Sequence, residues 1–229
     1  MVEFHLPNIK TGSDLPTVLY YLKHESPSKR RDYLTYIKVK FHFSESKFFR
    51  TRYKGKFSGT NPEDLMKELY DLLVNTSRFD KSRANRDCAL SALKDGVHYN
   101  KPKWSTSGLA LIMADIASDG YMHVPTFRSN NYLVPEVHLN ALKVIEAILL
   151  TNDDAVSYPL RRKLAFVEAK DIDENVRKLA RILKVKTENQ LEKNYDAAKG
   201  NFTKRVIIMA QQLSDRLHPK PSVIKRQHL

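Results

Sequence analysis

Between Lys38 and Lys56 the side chains alternate in a way that suits the binding of phosphate. Lys38, Lys40 and His42 alternate with Ile37, Val39, Phe41 and Phe43, and Arg50, Arg52, Lys54 and Lys56 oppose Phe49, Thr51, Tyr53 and Phe57. A period of two sends alternate side chains to opposite faces of a strand. The two runs therefore predict a β-hairpin with one apolar and one cationic face. Sharing the apolar face requires Phe43 opposite Phe49 and Phe41 opposite Thr51, with Ser44 to Phe48 as the loop. The same register sets Lys40 against Arg52 and Lys38 against Lys54, like charges that destabilise a strand pair by up to about 1 kcal/mol each. Burial of the apolar set, at about 1.5–3 kcal/mol per large side chain, outweighs that repulsion. A bound polyanion would relieve it.

The charge is concentrated. Residues 29–56 hold ten Lys or Arg and two acids, so most of the chain's formal +13 lies in one stretch, with Lys29, Arg30 and Arg31 at its entry. Tyr33, Tyr36 and Phe48 fall off the buried set of the hairpin and are candidates to stack on bases. A second basic area, Arg78, Lys81, Arg83, Arg86, Lys101 and Lys103, ends at Trp104. It reads as the other wall of a groove for a single-stranded polyanion. The expected binding residues are Lys29, Arg30, Arg31, Lys38, Lys40, Arg50, Arg52, Lys54, Lys56, Lys101, Lys103 and Trp104.

Catalytic spacing is sparse. Asp154 followed by "LAFVEAK", with Glu168 and Lys170, resembles the metal-binding signature of nucleases of the PD-(D/E)xK type over about forty residues. That resemblance implies two acids holding Mg²⁺ and a lysine orienting the attacking water. Against it, Pro159 opens the segment and Leu160, Leu164 and Val167 recur at helical spacing, which would send Glu168 and Lys170 to different faces. The eight histidines show no metal-ligand spacing, and neither Gly-x-Ser-x-Gly nor a glycine-rich phosphate loop occurs among the seven glycines. No cofactor, metal site, catalytic residue or small-molecule substrate is expected. Met113, Met122 and Met209 read as core.

A mixture of 41% apolar and 28% charged residues over 229 positions suits a folded protein with a real core. The positive excess favours RNA, DNA or an acidic membrane surface as partner. Cys88, the single cysteine, can form neither an intramolecular disulfide nor a cysteine-rich zinc site, which suits a reducing, intracellular compartment. No signal peptide, lipidation motif or membrane-spanning stretch is read from the sequence.

The element pattern predicts an α+β fold. An N-terminal lobe, residues 1–80, carries the basic hairpin between flanking helices, one of them starting at Pro62 after Thr60 and Asn61. A loop-rich connection, 81–107, surrounds a short helix over "RDCALSALKD". A larger helical lobe, 108–218, contains helices from Pro135 and over "YPLRRKLAFVEAK", with Asp173 capping the next, and a basic proline-broken arm, 219–229, follows. The function expected from these features is non-catalytic binding and packaging of nucleic acid, RNA favoured, by a chain that self-associates, as a viral nucleocapsid, coat or matrix protein does. The alternatives are a matrix-type protein on acidic membranes and the Mg-dependent nuclease.

Overall fold

The computed structural model describes residues 19, 22–23, 26–43, 62–99, 103–118, 135–198 and 206–210. Among these residues the fold is all-α, with no strand. Seven helices follow in order: α1 (Pro27–Phe43), α2 (Pro62–Phe79), α3 (Arg83–Tyr99), α4 (Ser107–Ala117), α5 (Pro135–Thr151), α6 (Tyr158–Lys170) and α7 (Glu174–Ala197). Residues 206–210 add a helical turn.

This corrects the α+β expectation. Ile37–Phe43, the first run of the expected hairpin, is the C-terminal part of α1, and residues 44–57 lie outside the described residues. The apolar positions of that run also fit a helix when read together with what precedes them. Tyr33, Leu34 and Ile37 are buried at helical spacing, and they form the face that α1 packs on α3. In a helix, residues two apart diverge by about 200°. Lys38 and Lys40 lie on this helix and not on a strand.

The chain forms two compact units. The first comprises Met1–Thr106 with Lys143–Asn152, the second Ser107–Leu142 with Asp153–Leu229. In the first unit, α3 is the central element, packed by both α1 and α2. Leu69 and Leu73 of α2 and Leu90, Leu93 and Val97 of α3 are wholly buried. Helix α3 spans 17 residues, longer than the ten-residue helix legible in the sequence. Trp104 closes this core: its ring packs at 5.3 Å from Tyr70. A Cβ on Gly96 would overlap the six-membered ring of Trp104, so the glycine is what admits the indole. The segment carrying Trp104 is tied down by Asn152, whose Nδ2 donates to the Ser105 carbonyl at 2.6 Å, and by a hydroxyl pair between Ser105 and Thr151.

In the second unit, α6 and α7 form an antiparallel hairpin joined by Asp171, Ile172 and Asp173. Ser157 caps α6, accepting from the Leu160 N–H at 3.3 Å, and Pro159 occupies its first turn. Asp173 caps α7, as the sequence predicts, with Oδ1 accepting from Asn175 and Val176. The 24 residues of α7 pass through Thr187 without a break, and its buried hydroxyl is satisfied by donating to the Leu183 carbonyl one turn back at 2.8 Å. Leu160, Leu164 and Val167 of α6 and Val176, Ala180 and Leu183 of α7 are buried, and the two helices pack on each other. Met113 is buried as expected, but Met209 is 48% exposed and is not core.

Candidate functional site

Asp80 follows directly on α2 and its side chain is only 4% exposed. A carboxylate in that position needs partners, because desolvating an isolated charge is prohibitive. Arg30, in the first turn of α1, supplies two N–H donors to Oδ2, Nε at 3.1 Å and Nη2 at 2.9 Å. Asn85 Nδ2 donates to the same oxygen at 3.2 Å, and the backbone N–H of Ser82 donates to Oδ1 at 2.8 Å. The Ser82 hydroxyl in turn accepts from the Asn85 N–H at the start of α3. One acid thus shapes the α2–α3 turn and fastens the N-terminus of α1 to it.

The consequence is electrostatic. Two basic segments that are about fifty residues apart in sequence meet at Asp80. Lys29, Arg30 and Arg31 come from α1, and Arg78, Lys81, Arg83 and Arg86 from the turn and its flanking helices; Asp32, Asp80 and Asp87 are the acids in these segments. Lys29, Arg31, Lys81 and Arg83 are exposed. Helix α1 has no acid in its first turn, so its positive dipole end adds to the field. Beside them Phe79 is 68% exposed, with the Arg78 guanidinium over its ring at 4.9 Å from the centroid. A cationic surface with an exposed aromatic ring has the chemistry that attracts phosphate and offers a flat apolar face.

The expected binding residues divide sharply. Lys29, Arg30 and Arg31 are in this cluster, with Arg30 engaged by Asp80. Lys38 and Lys40 lie farther along α1. Arg50, Arg52, Lys54, Lys56, Lys101 and Phe48 are outside the described residues. Lys103 is exposed, but Trp104 is 4% exposed and Tyr33 is buried, so neither ring presents a face to a base. Phe79 and the role of Asp80 were not legible in the sequence. The only signal there is the acid-basic-serine turn, Asp80-Lys81-Ser82, directly after an aromatic.

The nuclease pattern is not brought together as a metal pair. Glu168 lies in helix α6 and accepts from Lys184 Nζ at 2.7 Å and Arg181 Nε at 2.8 Å. These two hydrogen bonds, Lys184 first, hold its carboxyl below the ordinary glutamate range. Two cations already occupy the acid, and Lys170 lies two residues along the same helix. Asp154 is exposed in the loop before α6. Among the described residues no cluster of three or more His, Cys, Asp or Glu could hold a metal ion. The sequence also did not reveal a buried His138–Asp171 pair, Nδ1 to Oδ2 at 2.7 Å. It ties α5 to the α6–α7 turn from positions closed to a substrate, with side chains 1% and 0% exposed.

No protein-family model, curated protein or solved structure matches this chain. Among the described residues no helix is long and apolar enough to cross a membrane.

Proposed function

We propose that this chain is a non-catalytic nucleic-acid-binding protein, RNA favoured, that packages its ligand and associates with copies of itself in the manner of a viral nucleocapsid, coat or matrix protein. The observation that carries the reading is the meeting of two basic segments at Asp80, with cations outnumbering acids around an exposed ring. Phosphate neutralisation is the main term in such binding. The exposed apolar residues Ile172, Ile182 and Val185 of the second unit support self-association. Cys88, half-buried and without a disulfide partner, suits an intracellular setting.

The test uses the full chain purified without nuclease, followed by size-exclusion chromatography with light scattering and an absorbance ratio. Oligomers carrying nucleic acid are expected; a monomer devoid of it would end the packaging reading. A companion variant replaces Lys29, Arg31, Lys81 and Arg83 with Gln and leaves Arg30 and Asp80 in place. Affinity for single-stranded RNA is expected to fall by two orders of magnitude or more at moderate salt. The slope of log K against log salt should become shallower by about 3 if all four contact phosphate. An unchanged isotherm would remove the cluster from the interface.

A further inference from the structure

We infer that Phe79 is a base-stacking residue of the Asp80 surface and that the nucleic acid it serves is single-stranded. The inference rests on the nucleic-acid reading and adds to it the strandedness of the partner.

Phe79 ends α2, and its side chain is 68% exposed. Helix α2 places its buried face on α3 through Leu69 and Leu73, which leaves Phe79 outside that seam. Arg78 covers one face of the ring. Lys81 and Arg83, both exposed, stand on the other side of Asp80 in sequence. An apolar protein partner would have to desolvate these cations to reach the ring, at a penalty that grows with each charge buried. A nucleic-acid strand has no such difficulty. Its phosphates match the cations and its bases supply the flat face that the ring lacks, in the combination used by single-strand binders. Duplex bases are already stacked on one another, so a phenyl ring at the surface gains nothing from them without extruding a nucleotide. Trp104, which also follows a basic run, is consumed by the core contact with Tyr70 and Gly96.

The experiment compares the full-length parent with Phe79→Ala, Phe79→Leu and Phe79→Trp by fluorescence anisotropy. The probes are a fluorescein-labelled 12-nucleotide oligouridine, an RNA duplex of the same length, heparin as a base-free polyanion, and phosphatidylserine vesicles. Phe79→Ala is expected to weaken oligouridine binding by about 5- to 100-fold, to leave duplex and heparin binding within about twofold, and to melt at the parent's temperature because the ring is exposed. Phe79→Leu should fall with Phe79→Ala, since it keeps apolar area without a π-face. Phe79→Trp should bind at least as well as the parent, and its added indole fluorescence should be quenched by the oligouridine. Equal losses on all polyanions, or full recovery by Leu, would overturn the stacking role while leaving the cationic surface intact. A parent that binds vesicles but neither RNA probe would overturn the nucleic-acid reading itself, independently of the Phe79 variants.

Discussion

The Asp80 cluster and the α6–α7 hairpin are both rich in Lys and Arg, yet they use them in opposite ways. On the hairpin, cations meet acids across the helices: Arg161 with Glu188 at 2.7 Å, Arg181 and Lys184 with Glu168 at 2.8 and 2.7 Å. Lys163 pairs with Asp115 of α4, and Lys178 with Glu174 within α7 at 2.8 Å. Their charge is largely answered within the fold. At Asp80 a single buried acid collects Arg30, Asn85 and the Ser82 N–H; Arg83 meets Asp87 only loosely, at 3.9 Å, and the exposed cations of these segments outnumber the acids. A count of Lys and Arg cannot distinguish these two cases. The partner of each charge can.

The comparison breaks most visibly if the buried acid is removed. Asp80→Ala removes the buried acceptor that the Arg30 guanidinium, the Asn85 amide and the Ser82 N–H share, and should destabilise the first unit by about 2–4 kcal/mol. Urea denaturation followed by circular dichroism checks this, with Asp80→Asn expected to lose less because its oxygen still accepts. Binding sharpens the contrast next. Against the loss of two orders of magnitude expected of the Gln variant at the cluster, Lys178→Gln with Arg181→Gln should leave RNA affinity within a few-fold, because those charges are already neutralised by acids. An equal loss from both variants would mean that total charge, not its arrangement, sets affinity.

The smallest effects belong to the hairpin. Glu168→Ala breaks two partly exposed ion pairs, so a loss of at most about 1 kcal/mol is expected, with RNA binding unchanged. Its pH dependence has a definite sign. The Glu168 carboxyl titrates below its ordinary value because Lys184 and Arg181 hydrogen-bond the charged form. Its contribution is therefore complete above the unfolded pKa of 4.5 and disappears as pH falls through the lower folded value. The difference in melting temperature between parent and Glu168→Ala should shrink across that acid window. Tyr70 supplies the alkaline counterpart in the first unit. Burial beside Trp104, aided by the Asp71 charge and opposed by the Thr106 hydrogen bond, raises its pKa above 10.0. The folded state then holds the proton longer than the unfolded one, so stability should decline as pH rises through 10.0, and Tyr70→Phe should lessen the decline.

Several elements were legible from local signals. Pro62 opens α2, Pro135 opens α5, and Asp173 caps α7, because the first turn of a helix and its cap are decided by neighbours a few residues away. The helical spacing of Leu160, Leu164 and Val167 placed Glu168 and Lys170 on a helix, as observed. The run from Ile37 to Phe43 misled for a physical reason. Its alternation satisfies a period of two, while Tyr33, Leu34, Ile37 and Phe41 satisfy 3.6, and a short apolar run cannot choose between them. What decides is the surface it packs on, and here that is α3. The aromatics teach the same lesson. Trp104 and Phe79 both sit beside basic residues, but Gly96 leaves room for one ring in the core, and the end of α2 leaves the other outside.

The sequence by itself determined the net charge of +13, the crowding of cations into a few segments and the positions of several helix starts, since charge is additive and capping is local. Only the tertiary structure decided that the front of the chain is helical where described, which cations have acids against them, and which aromatic ring remains outside. Those outcomes depend on residues as distant as Arg30 and Asp80 meeting in space. Side-chain burial and charge pairing are properties of packed surfaces, and no local pattern specifies which surface a helix will find.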